Sequence, residues 1–119
     1  RELYQFYQKC FAEIEEVEVL SVQNEEYYAN YWLTVIRFIG SNSAKNQERF
    51  QAFLAEKGIE SRFPWKPLHL QEIYDEQHYF GAQNAETLWK TGLCLPSGCG
   101  LTKEDLNRIQ QAINAYFSA

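Results

Sequence analysis

YWLTVIRFI occupies residues 31–39. Nearly every position is aromatic or β-branched, which favours extended chain over helix. Apolar residues fall on both alternating faces, so the segment predicts a strand covered on both sides. GSNS (40–43) then supplies a turn and an N-cap for a helix over 44–57. Phe50, Phe53 and Leu54 are its expected inward face, and Gly58 stands where a left-handed C-terminal residue belongs.

Working outward, Tyr4, Tyr7, Phe11 and Ile14 recur at helical spacing and predict a helix over 1–15. VEVL (17–20) alternates like a short strand, and SVQNEEYYAN (21–30) reads as a polar loop. Downstream, IESRF (59–63) is a short strand candidate. PWKPLHLQEIY (64–74) carries two prolines and begins as irregular chain. NAETLWKTG (84–92) predicts a short helix stopped by Gly92. Thr102 with Asp105 three residues later predicts the capped start of a last helix. Its apolar stripe is Leu106, Ile109, Ile113, Tyr116 and Phe117. The fold class expected is α+β, a small antiparallel or mixed sheet covered by helices.

A chain of 119 residues supports one domain with a modest core. The formal net charge of -5 argues against a nucleic-acid or anionic-membrane surface. No apolar run approaches the ~18 residues of a membrane span, and the N-terminus shows no signal peptide. The chain starts at Arg1 rather than Met and is expected to be a piece of a longer protein. Cys10, Cys94 and Cys99 are an odd set, which predicts reduced thiols and a cytoplasmic setting.

GLCLPSGCGLTKEDL (92–106) brackets a turn with two cysteines. The spacing of Cys94 and Cys99 is permissible for zinc, but His69 and His78 are the only histidines and a second close ligand pair is missing. A Cys/His catalytic pair with His69 lacks any recognisable signature. Packed thiols are the expectation, with no metal. The LPSG turn either aims Ser97 and backbone N–H groups at a ligand or is a plain connector. Arg62, Trp65, Lys66 and His69 form a denser constellation. Arg62 and Lys66 suit phosphate oxygens, Trp65 offers a flat face to a base or sugar, and the prolines stiffen the loop. The alternative is a solvated surface loop. Glu13, Glu15, Glu16 and Glu18 read as a solvated face.

KGIESRFPWKPLHLQ (57–71) and AETLWKTGLCLPSGCGLTKEDLNRIQQAI (85–113) resemble the C-terminal part of the DegT/StrS-type nucleotide-sugar aminotransferases. That family shows G/N-I-E-S-R-P-L-W-K-P-M-H-L-Q and A-E-x-L-F-x-x-G-L-C-L-P-S-G-S-x-L-T-x-E-D-L, and NYWLTVIRF (30–38) resembles its N-R-W-L-T segment. RFPW here stands for R-P-L-W, Tyr31 for a common arginine, and GCGL for G-S-x-L.

The resemblance implies that residues 1–119 are the small C-terminal domain of an aspartate-aminotransferase-like fold, without the large cofactor-binding domain. It implies pyridoxal 5'-phosphate in the parent enzyme and amino transfer, with glutamate as donor, to a nucleotide-linked keto sugar for polysaccharide or glycan assembly. The W-K-P-x-H-L-Q form is most similar to members acting on UDP-linked 4-keto-6-deoxy sugars, with GDP and dTDP members close. The parent is expected to be a homodimer, and the isolated domain inactive because none of its lysines sits in the cofactor-lysine motif. By position, Arg62, Trp65, Lys66, His69 and Gln71 are the expected substrate side of the cleft. Asn30, Trp32 and Ser97 are weaker substrate or interface candidates. Cys94 is implied to be a packed residue. The rival reading is a non-catalytic sugar-nucleotide-binding or regulatory module built on the same domain.

Overall fold

The computed structural model describes residues 1–22, 24, 26–74 and 78–118. Gln23 and Glu25, in the loop expected at 21–30, lie outside the described residues. The order is α1 (Glu2–Cys10), β1 (Val17–Val19), β2 (Thr34–Phe38), α2 (Ser43–Glu56), α3 (Asn84–Thr91), β3 (Gly92–Leu95) and α4 (Lys103–Phe117). Two single 3-10 turns, Leu68–Leu70 and Glu72–Tyr74, interrupt the link between α2 and α3. The three strands form an antiparallel sheet in the order β1-β2-β3. An α+β arrangement is therefore present, with the sheet antiparallel throughout.

β2 is the centre of the sheet but shorter than its sequence suggests. Tyr31 takes a left-handed φ of 52°, so extended chain cannot run through it. Its ring stacks on Tyr4 at 3.8 Å between centroids, tying the entry of β2 to α1. One face of β2 is sealed by burial of Thr34, Ile36 and Phe38, whereas Val35 and Arg37 are only half-buried. The expected cover on both sides is thus complete on one. Arg37 uses its half-buried position to bond Glu18 on β1 at 2.5 Å.

The third strand is not where the sequence places it. Residues 59–63 contribute a single bridge, Arg62 to Cys94, and the strand itself is GLCL, to which the sequence assigned no strand. All four residues of β3 are buried. Gly92 does end α3, but in extended conformation as the first residue of β3. A Cβ there would lie 2.5 Å from the Leu88 carbonyl oxygen and 2.9 Å from Pro64 Cγ, so only glycine fits. Buried Gln47 donates from Nε2 to the carbonyls of Trp89 and Gly92, joining α2 to this junction.

Helix ends follow the local chemistry at two of the four ends the sequence marks most clearly, the end of α2 and the start of α4. After α2, Gly58 (φ 67°) donates to Ala55 and Ile59 to Leu54, both at 2.9 Å, which closes the helix in a Schellman motif. Thr102 and Asp105 form the reciprocal capping box of α4. The 1–15 helix, however, ends at Cys10, and Phe11 and Ile14 reach the core from turns that continue the helical spacing. At α2 the N-cap is Asn42, without a side-chain bond.

The core is aromatic at its hub. Phe50, fully buried, packs against Phe11, Phe38, Tyr116 and Phe117 with centroids 4.8 to 6.5 Å apart. Those partners come from the turn after α1, from β2 and from α4, so one ring joins three elements to α2. Phe50→Ala is expected to lower the unfolding free energy by about 3–5 kcal/mol in a urea titration. A loss under ~1 kcal/mol would contradict its hub role. Gly92→Ala is expected to destabilise by about 1–3 kcal/mol through forced contact with Leu88 and Pro64, read as a lower thermal midpoint.

Candidate functional site

A cleft of about 630 Å³ opens between the 58–65 segment, the 94–98 stretch, Trp32 and the first turns of α4. The Arg62–Cys94 bridge builds its back wall: Arg62 N–H donates to Cys94 O at 3.1 Å, and Cys94 N–H to Arg62 O at 2.7 Å. Two exposed indoles stand at the mouth, Trp32 at 65% and Trp65 at 71% exposure, with centroids 6.0 Å apart. That separation leaves no room for a third ring between them, so a ligand would stack on an outer face.

The wall is polar but balanced. Arg62 forks onto Glu60 Oε1 at 2.6 and 2.8 Å. Arg108 donates to the Gly58 carbonyl at 2.8 Å. Asp105 accepts from Thr102, and these bonds, with Arg108 nearby, hold its carboxyl below the usual range. Two carboxylates thus offset two guanidiniums among the lining residues. The cleft has the aromatic surface for a base or sugar ring, but no excess positive charge for a pyrophosphate.

Of the residues expected from sequence, Arg62, Trp65, Trp32 and Ser97 line this cleft together. Ser97 is committed to the fold as well: its hydroxyl accepts from Thr34 N–H and donates to Leu95 O, both at 2.9 Å. Lys66, His69, Gln71 and Asn30 are not among the lining residues. Lys66 reaches over the Trp89 ring at 6.0 Å, and Gln71 donates back to the Lys66 carbonyl. Asn30 accepts from Trp32 N–H at 3.2 Å and shapes the turn that presents that indole.

His69 belongs to a second cluster. Its Nε2 lies 3.2 Å from Glu86 Oε1, and its ring stacks on Tyr79 at 3.8 Å and 22°. Glu86 also faces Lys90 at 3.6 Å, one helical turn on. The His69 bond and then the Lys90 charge hold the Glu86 carboxyl below its ordinary value. Glu86, Tyr79, Glu60 and Arg108 were not singled out from sequence. Their partners lie up to 50 positions away, across irregular chain that carries no periodicity.

Cys94 is buried in β3, and burial raises its thiol pKa; Cys99 is exposed. No group of three or more His, Cys, Asp or Glu suited to a metal occurs among the described residues. Among them, too, no helix is long and apolar enough to cross a membrane. Exposed large apolar side chains concentrate between positions 63 and 80, including Phe63, Leu68, Ile73, Tyr74 and Phe80.

The model of the DegT/DnrJ/EryC1/StrS aminotransferase family matches residues 1–114. EpsN of Bacillus subtilis (strain 168), which carries the name of a pyridoxal phosphate-dependent aminotransferase, is 33% identical over 93 residues, 75% of this chain and 23% of its own length. GDP-perosamine synthase of Escherichia coli O157:H7 is 29% identical over 118 residues, 99% of this chain and 30% of its own. Among solved structures, the aminotransferase TlmJ from Streptoalloteichus hindustanus superimposes with a TM-score of 0.83 at 20% identity, over 99% of this chain and 31% of that one. The chain therefore spans 23% to 31% of the length of these relatives, and it shares the fold of TlmJ over almost all of its own.

The His69–Glu86 geometry has a measurable consequence. The Glu86 carboxyl is expected to titrate below its ordinary value of 4.5. Because the folded-state value is depressed, the pairing is intact at neutral pH and is lost as pH falls through that midpoint. Side-chain carboxyl-carbon NMR of Glu86 reads it directly, and His69→Leu, which removes the donor, should move the midpoint upward. An unchanged midpoint in the variant would remove the histidine as the cause.

Proposed function

The chain belongs to the DegT/DnrJ/EryC1/StrS aminotransferase family, and on that premise we propose that it is the small C-terminal domain of a pyridoxal-phosphate-dependent sugar aminotransferase. The parent enzyme, a cytoplasmic homodimer on this reading, moves an amino group from glutamate to a keto carbon of a nucleotide-linked sugar for polysaccharide or glycan assembly. The observation that carries the reading is the family match over residues 1–114, together with aromatic and basic motif residues grouped at the 58–98 side of the fold. The name GDP-perosamine synthase, borne by a relative matching 99% of this chain, supports a nucleotide-linked substrate.

The residues of this chain do not fit the cofactor. All six lysines, Lys9, Lys45, Lys57, Lys66, Lys90 and Lys103, are exposed, and none lines the cleft. On this reading the cofactor lysine and the phosphate cradle belong to the remainder of the parent, and this domain acts by shaping the substrate side. When bound there, pyridoxal phosphate supplies the electron sink for the amino transfer. Trp65 and Trp32 offer stacking surface, and Lys66 an exposed cation outside the balanced cleft, suited to a phosphate oxygen.

Purified full-length protein loaded with cofactor is expected to consume glutamate only when a nucleotide-linked keto sugar is present, with the amino group found on the sugar by mass spectrometry. Nucleotide-sugar binding without any amino transfer would favour the non-catalytic module instead. Trp65→Ala in the same protein is expected to weaken nucleotide-sugar binding about 5- to 100-fold, the scale of losing one stacking face. Unchanged affinity by calorimetry would remove Trp65 from the site.

A further inference from the structure

His69 is gripped more closely than a space-filling ring requires. Its side chain is 17% exposed. Tyr79 covers one face of the imidazole, and Glu86 meets its edge at Nε2. Each holder is itself held. The Tyr79 hydroxyl donates to Ala82 O at 2.8 Å. Gly81, at φ 147°, leaves that hydroxyl its space, since a Cβ there would stand 2.9 Å from it. Glu86 lies in the first turn of α3, where the helix dipole favours a carboxylate, and its second oxygen faces Lys90.

These contacts decide the proton's position. The His69 bond and Lys90 keep Glu86 ionised at neutral pH. An ionised carboxylate only accepts hydrogen bonds, so Nε2 must be the donor. In the neutral ring Nδ1 then carries the lone pair, and it has no hydrogen-bond partner among the described residues.

We propose that Glu86 is a positioning residue for His69: with Tyr79 it fixes the ring and its tautomer so that Nδ1 accepts a hydrogen bond from a hydroxyl of the sugar substrate. This deepens the substrate reading above and rests on it. Glu86 and Tyr79 touch the histidine rather than the substrate, and their effect is transmitted through the imidazole.

The test uses the full-length enzyme and compares Glu86→Leu, which keeps bulk but removes the acceptor, with Glu86→Gln, which keeps an acceptor oxygen. Histidine 15N chemical shifts at alkaline pH, assigned with His69→Gln, report the tautomer. The unaltered enzyme and Glu86→Gln are expected to hold the proton on Nε2, and Glu86→Leu to lose that preference. In Glu86→Leu the KM for the nucleotide sugar should rise about 3- to 10-fold, the scale of one neutral hydrogen bond, with kcat and the KM for glutamate retained. Glu86→Gln should restore most of the loss.

Equal behaviour of the two variants, or an unchanged tautomer and KM in Glu86→Leu, would overturn the positioning role. Should His69→Gln raise the sugar KM while Glu86→Leu does not, only this inference fails. Should His69→Gln leave that KM unchanged, the substrate role of His69 fails, and this inference with it. Thermal midpoints of all three variants separate a loss of folding from a loss of positioning.

Discussion

Everything in this domain leans on the four buried residues of β3. The strand pairs with β2 along one edge and with the Arg62 backbone along the other, so its N–H and C=O groups are satisfied on both sides. It starts at a glycine because the helix carbonyl of Leu88 and the Pro64 ring close in where a side chain would stand. Gln47 then accounts for carbonyls left at the α3–β3 junction. Helix, strand and irregular loop meet within a few ångströms, and each depends on the others.

That junction also carries the site. Because Arg62 is bonded to Cys94, the segment bearing Trp65 is held against the sheet instead of floating as a surface loop. The turn after β3 is fastened twice more, by Ser97 to Thr34 and by the Tyr7 hydroxyl to the Pro96 carbonyl at 2.7 Å. Burial of Tyr7 raises its phenol pKa, which keeps it a donor there. Stiffness of this kind lowers the ordering cost of binding. The motif residues nevertheless divide into two groups. Arg62 and Trp65 face one cleft with Trp32, while His69 sits with Tyr79 and Glu86 beyond the proline-rich turn.

Local signals were legible where one residue's own chemistry suffices. Gly58 ends α2 in the left-handed region, and Thr102 with Asp105 caps α4. The apolar stripe of α4 packs as its spacing implies, with Ile109 and Ile113 buried. Misreadings occurred where a partner distant in sequence decides. Nothing in GLCL marks a strand until β2 and Arg62 lie beside it. Periodicity carried the first helix too far, because Phe11 and Ile14 keep helical spacing while the chain turns. Tyr31 looked like strand and instead became a left-handed residue whose ring is held by Tyr4.

By itself, the sequence determined the class, the caps at the end of α2 and the start of α4, the apolar faces and the family motifs, since these depend on side-chain type at short spacing. Only the tertiary structure decided which strand pairs with β2, that Arg62 is already matched by Glu60, and that Glu86 rather than a nearer residue grips His69. Those choices are made by groups between 2 and 61 positions apart, where backbone pairing, burial and charge neutralisation act through space. No spacing rule along the chain encodes such a meeting, because the intervening loop can place its ends in many ways until the core is packed.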